Sequence, residues 1–155
     1  MTMEKTTDDW YTPEWVFDGL GLQFDLDVAA SSDNSDYVPA RRRYTIEDNG
    51  LEKAWYGLIW CNPPYSSPTK WCYKYEAHDQ GLILIRADLS TRGPYRALMS
   101  SNAIWIPEKR LQFVNGRGGR TGAVNFSTVM LGKGPVAVNA MKRLAQINGT
   151  TRELH

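Results

Sequence analysis

Asn62, Pro63, Pro64 and Tyr65 stand together behind the apolar run Leu58–Cys61, in the stretch WCNPPYSSP. Their types and order suit one kind of chemistry. A residue before proline is pushed out of the helical region, and proline fixes its own φ at about −65°. Asn62 and Pro63 both precede a proline, so the corner is stiff at consecutive positions and cannot continue a strand's hydrogen-bond ladder. It must project beyond the sheet. There the Asn62 amide oxygen and a neighbouring carbonyl, that of Pro63, can each accept one N–H of an amino group attached to an aromatic ring. Held in this way the nitrogen is pyramidal, and its lone pair becomes a nucleophile toward an activated methyl donor. Tyr65 offers a flat face to a purine or pyrimidine, worth ~1–3 kcal/mol per base. A base within a duplex must first be flipped out, at a cost that stacking partly repays. Such chemistry rests on positioning and electrostatics rather than on an acid–base relay.

The composition narrows what surrounds this corner. At 155 residues the chain is most simply one domain with one core, and its 42% apolar and 23% charged content is ordinary for a globular protein. A formal charge of +1 neither demands nor excludes an anionic partner, so local basic clusters must decide. Cys61 and Cys72, with only His78 and His155 beside them, assemble no zinc spacing, and no metal is expected. No apolar stretch approaches the ~20 residues of a membrane span, and MTMEKTTDDW lacks the features of a secretory signal. A cytoplasmic location is the expectation.

Residues 1–9 are polar and read as a flexible N-terminus, with one domain over 10–155. In YTPEWVFDGLG, Thr12 can cap a helix, Pro13 suits its first turn, Val16, Phe17 and Leu20 share a face, and Gly21 closes it. FDLDVAA reads as a short strand and SSDNSDYVPARRR as a loop; RRYTI comes next as a second strand, then a turn at Asp48-Asn49-Gly50 and one helical turn through LEKAW. Past the corner, Ser66 or Ser67 is a candidate cap for a helix through Trp71, Cys72 and Tyr75 that Gly81 ends. GLILIRA is a continuous apolar run of the kind found in sheets covered on both faces. A helix at GPYRALMSS, strands at AIWIP, RLQFV and VNFSTVML, and an amphipathic helix at VNAMKRLAQI complete the pattern. The alternation predicts an α/β fold: a Rossmann-like, mostly parallel sheet with helices on both faces and an antiparallel hairpin around NGRGGRTG at one edge. In such sheets ligands bind at the carboxyl edge, where the Asn62 corner lies.

Asn-Pro-Pro-Tyr after an apolar strand is similar to the catalytic motif of amino-methyltransferases that use S-adenosylmethionine. A chance NPPY in a chain this long is on the order of one in a thousand. YTPEWVFDGL, FDLDVAAS, the pair DNGL and AW, WCNPPYS and the GRGGR region also come in the order of a narrower group. The chain thus resembles the phage-type DNA N-6-adenine methyltransferases (Dam-like) over roughly residues 10–131. That resemblance implies methylation of the N6 amine of adenine in DNA, with S-adenosyl-L-methionine as cofactor and Asn62, Pro63, Pro64 and Tyr65 as the catalytic corner. It places Asp27, Ala29 and Ala30 beside the methionine part of the cofactor, Thr12 and Pro13 near its carboxylate, and Asp48 at its adenine. Each polar member also has a plain structural role open to it: a strand-end turn for Asp27, a helix cap for Thr12, an ordinary turn for Asp48. FDLDVAAS departs from methyltransferases at large in having no glycine.

Two basic clusters are candidates for DNA phosphates: Arg41, Arg42 and Arg43, then Lys109, Arg110, Arg117 and Arg120 around the Gly-rich loop. Lys142 and Arg143 read as plain helix surface. Sequence choice would come from loops 31–44 and 108–122, or from a dimer; monomer and homodimer both remain open. Protein-glutamine methyltransferases carry the same tetrad, so an RNA base or a protein glutamine is an alternative acceptor. A catalytically inactive DNA-binding module with the same fold is another.

Overall fold

The structure, a computed structural model of the chain, describes residues 11–32, 36–114, 121–123 and 126–155. Its elements are α1 (Glu14–Leu20), β1 (Phe24–Asp27), β2 (Ala40–Arg43), β3 (Ile59–Cys61), α2 (Thr69–Ala77), β4 (Gly81–Arg86), α3 (Arg92–Ser100), β5 (Ala103–Ile106), β6 (Gln112–Val114), β7 (Thr121–Ala123), β8 (Thr128–Lys133), α4 (Pro135–Ala145) and β9 (Thr150–Glu153). Seven strands form one sheet in the order β2-β1-β3-β4-β8-β5-β9. β2, β1, β3 and β4 pair in parallel, whereas β8 is antiparallel to both β4 and β5, and β9 is antiparallel to β5.

Alternation along the central strands sends side chains to both faces, and both are covered. Trp60, Leu82, Leu84 and Met130 pack with Val16, Phe17 and Leu20 of α1 and Ala137, Met141 and Leu144 of α4. Ile59, Cys61, Ile83, Ile85 and Leu131 pack with Cys72 and Tyr75 of α2 and Ala97 of α3. This two-sided burial is why β3 and β4 read as unbroken apolar runs. Each fully buried aliphatic side chain contributes about 1.5–3 kcal/mol relative to exposure. The sandwich clamps β3 on both sides, so the corner that leaves its carboxyl end starts from a fixed point. No helix among the described residues is long and apolar enough to cross a membrane.

Several local expectations change. The expected strand RRYTI is observed earlier, as Ala40–Arg43, because Leu26 and Asp27 of β1 pair with Arg42 and Arg43. Helix α2 ends at Ala77 rather than at Gly81, which opens β4. Its last carbonyls are met by a cation from another strand: Lys133 Nζ donates to the carbonyls of Tyr75, Glu76 and His78 at 3.2, 2.8 and 2.8 Å. Arg143 does the same for α1, donating to Leu20 O at 2.7 and 3.1 Å, so it is a capping residue and not plain surface. Neither Ser66 nor Ser67 caps α2, whose N-cap is Pro68 with no side-chain bond. The expected edge hairpin of RLQFV with VNFSTVML does not form: Gln112–Val114 (β6) pairs instead with Thr121–Ala123 (β7), in a two-stranded ribbon apart from the seven-stranded sheet. The next strand, β8, begins at Thr128 and enters the sheet between β4 and β5. Thr150–Glu153 adds a strand that no apolar pattern announced.

Candidate active site

The order of the sheet reverses around β1: the chain goes from β1 outward to β2, then returns to place β3 on the other side. Segments leaving the carboxyl ends of β1 and β3 therefore diverge, and a crevice opens between them. A cleft of about 550 Å³ lies there, within the size range of small-ligand sites. Its walls are Val28–Ser32 after β1, Tyr44–Ile46 after β2, Asn49 and Gly50, the corner Asn62–Tyr65 after β3, and the side chains of Tyr11 and Trp71. A second concavity between α4 and the C-terminal strand, around Asn102, Gly134 and Lys142, is larger at about 680 Å³ and shares no lining residue with the first.

Asn62 is the chemically distinctive wall residue. Its Nδ2 donates to Thr12 Oγ1 at 3.4 Å, while its Oδ1 is buried with no hydrogen-bond partner among the described residues. An acceptor left dry in this way costs about 1–3 kcal/mol, and such groups in native structures call for an explanation. The Pro63 carbonyl beside it accepts no backbone N–H among the described residues. Two oxygen acceptors thus sit at consecutive positions of the corner. Tyr65, 5% exposed, is held edge-to-face by Phe113 at 5.8 Å and Phe126 at 5.2 Å. Arg86, at the end of β4, lies over the Phe126 ring at 4.3 Å. Sequence reasoning misses Phe113, Phe126 and Arg86; aromatics flanking a glycine-rich loop are their only signal.

The wall after β1 is shaped from beneath. Asp27 is 1% exposed and its Oδ1 accepts the Ala29 N–H at 3.2 Å, so the carboxyl folds the turn that puts Ala29 and Ala30 on the cleft. Asp27 itself does not line it. None of residues 28–32 has a positive φ, so the turn needs no glycine to form. Burial, and then the nearby Asp36, push the Asp27 carboxyl up to about 7. Since the unfolded chain releases this proton at ordinary carboxylate pH, the folded state holds it more tightly, and stability falls as pH rises from about 4 to about 7. Asp27→Asn keeps the acceptor for Ala29 and removes the titration. Urea unfolding from pH 5 to 8 should show the wild type losing ground to this variant as pH rises; parallel curves would count against a buried titrating carboxyl.

Other candidates fall into place around the cleft. Asp36 accepts the N–H groups of Ser31 and Val38, both at 3.2 Å, and pairs with Arg43 at 2.8 Å. Arg43 is thereby committed to the 31–38 segment, whereas Arg41 and Arg42 are exposed on the edge strand β2. Asp48 accepts Thr45 N–H at 2.9 Å, which holds its carboxyl below the usual range, and it does not line the cleft. Asn49 beside it does, at φ 59°, a left-handed conformation that asparagine tolerates. Gly50 is pinned through its carbonyl by Trp55 Nε1 at 2.8 Å and Lys74 Nζ at 3.2 Å; the same ammonium also reaches the carbonyls of Leu51 and Lys53. Thr12 is buried on Asn62 and caps nothing, and Pro13 is the N-cap of α1. Lys109 and Arg110 are exposed between β5 and β6; Arg117 and Arg120 lie outside the described residues. Burial raises the thiol of Cys61 well above its usual range and that of Cys72 to about 12, so neither is a nucleophile at neutral pH.

This arrangement, acceptors at a proline-stiffened corner on the carboxyl edge of an α/β sheet, meets an independent finding. Residues 1–136 match the family model for DNA N-6-adenine-methyltransferase (Dam). The chain belongs to the Dam family. Within that family it is 32% identical, over 144 residues, to a DNA N-6-adenine-methyltransferase of Escherichia phage T1. The alignment takes in 85% of this chain and 59% of the phage protein, so the chain spans less than two thirds of that Dam-family relative. No solved structure matches it.

Proposed function

We propose that the chain transfers a methyl group from S-adenosylmethionine to the N6 amine of adenine in DNA. The buried Oδ1 of Asn62, unmet among the described residues, carries this reading. Together with the Pro63 carbonyl it gives an exocyclic amine two acceptors, one for each hydrogen, and so directs the nitrogen lone pair outward. When bound, the cofactor supplies the electrophilic methyl group. The cleft suits a molecule of that size: Ala29 and Ala30 leave room along the turn after β1, while Trp71 and the 82%-exposed Ile46 give apolar walls for a purine ring. Asp27 serves this site by folding the turn.

Tyr65 receives the flipped base, with Phe113 and Phe126 fixing the plane of its ring. Arg41, Arg42, Lys109 and Arg110 are exposed cations for the phosphates on either side. Arg117 and Arg120 of the Gly-rich loop add their charge to the second of these clusters. The phage origin of the relative fits a role on viral DNA inside a host cell. Tyr65→Phe should stay near wild type, whereas Tyr65→Ala should raise the KM for DNA by the worth of one stacked base, ~1–3 kcal/mol. Equal defects in the two variants would argue against stacking.

The deciding experiment is incubation with labelled cofactor and separate pools of DNA, RNA and protein, followed by long-read detection of modified bases in the DNA. Label in DNA with N6-methyladenine in the reads is the expected result. Label confined to RNA or protein, or none at all, would overturn the proposal.

A further inference from the structure

Thr12 does something in this structure that neither a helix cap nor a cleft wall would do. Helix α1 starts at Glu14 behind Pro13, with no side-chain cap, and the cleft wall in this segment is Tyr11. The Thr12 hydroxyl is instead buried, 1% exposed, against the amide of a residue fifty positions away. Both flanks fix it there. Tyr11 and Val114 exchange backbone hydrogen bonds at 2.6 and 2.9 Å on one side. On the other, Pro13 has φ −66° and its carbonyl accepts Val16 N–H at 3.2 Å. A residue before proline is itself held extended, so Thr12 has little freedom left.

An asparagine amide has a donor end and an acceptor end of almost the same shape. Its terminal torsion is broad and roughly two-fold, so the side chain alone does not choose which end points where. Toward an amino group the choice is decisive: the oxygen accepts N–H, and a second NH2 would only repel it. Thr12 engages the NH2 end at 3.4 Å, and the end left over is the buried Oδ1 that no described residue satisfies. We infer that Thr12 is a positioning residue: by accepting from the Asn62 NH2 it restrains the amide in the arrangement that leaves its oxygen available. This role rests on the reading of Asn62 as the acceptor for the target amine. It also ties the corner to the β6–β7 ribbon, through the Tyr11–Val114 bridge that seats Thr12.

Two variants separate this from packing and from cofactor contact. Thr12→Val keeps the shape and removes the hydroxyl; Thr12→Ser keeps the hydroxyl. Single-turnover methylation should slow about three- to tenfold in Thr12→Val, the range expected for one hydrogen bond, and recover most of the wild-type rate in Thr12→Ser. Affinity for S-adenosylhomocysteine, measured by calorimetry, should be unchanged in both. Independently of turnover, the side-chain NH2 signals of Asn62 in a nitrogen–proton NMR spectrum, identified by their loss in Asn62→Ala, should move in Thr12→Val and stay in Thr12→Ser. Unmoved signals in Thr12→Val, equal rate losses in the two variants, or weakened S-adenosylhomocysteine binding would each overturn the inference. A wild type that methylates no DNA would remove the proposed function, and the NMR shift would still decide whether Thr12 holds the amide.

Discussion

Asn62→Ala should lower methyl transfer by on the order of 10²- to 10³-fold, as loss of one preorganised hydrogen-bonding group at a reacting centre typically does. The substitution removes the acceptor and leaves in place Ala29, Ala30, Ile46 and Trp71, the part of the cleft wall proposed to hold the cofactor, so the Kd for S-adenosylhomocysteine should stay close to wild type. Stability should not fall, and a small gain is expected. Wild-type Asn62 buries an oxygen with no partner among the described residues, and alanine abolishes that penalty at the cost of one 3.4 Å bond to Thr12. Activity lost together with cofactor affinity or with melting temperature would mean that Asn62 supports the fold rather than the reaction. A stability cost tolerated at a corner on a cleft is what functional sites characteristically show.

The second large effect is expected at Gly50. A Cβ built there would lie 2.0 Å from the Val28 carbonyl oxygen and 3.2 Å from the Trp71 ring. The first contact is with backbone, so no rotamer change relieves it; the 48–50 turn or the turn after β1 must move. Trp55 and Lys74 pin the former through the Gly50 carbonyl, and Asp27 folds the latter. Overpacking of this kind costs ~1–3 kcal/mol and often more. Here the displacement falls on facing walls of the cleft, so Gly50→Ala should lose S-adenosylhomocysteine binding as well as stability. Gly57→Ala is the matched control: its Cβ would clash with the Asp25 side chain at 2.4 Å, outside the cleft, and should destabilise while sparing affinity. If the two variants lose affinity equally, the cofactor binds somewhere other than this cleft.

The parts legible in the sequence are those whose signal is local. Pro63 and Pro64 constrain their own neighbours, so a stiff corner beyond a strand can be read from six letters, and the unbroken apolar runs at β3 and β4 announce a sheet covered twice. β2 is displaced from its expected position because its sequence, Ala40-Arg41-Arg42-Arg43, is nearly all charged; an edge strand needs no apolar face, and its register comes from β1. β9, Thr-Thr-Arg-Glu, escapes for the same reason. Thr12 reads as a cap or a cofactor contact since both uses are visible within four residues, whereas its observed partner is fifty residues away. Asp36 hides inside a polar run that looks like loop, although it organises that run and neutralises Arg43. Polar pairing of this kind, whether across seven residues as for Asp36 and Arg43 or fifty as for Thr12 and Asn62, leaves no periodicity behind.

The position of β8 has a consequence for how the molecule comes into being. β8 lies between β4 and β5, both of which precede it in the chain. During synthesis β5 therefore emerges before the strand that joins it to the sheet exists, and it must wait with its backbone groups exposed. The parallel half, β2-β1-β3-β4, holds the Asn62 corner and is complete some forty residues earlier, as Arg86 to Thr128 shows. Closure of the remaining half is non-local and correspondingly slow. A ribosome stalled between the two would display an open strand edge on β4, the kind of surface that seeds aggregation.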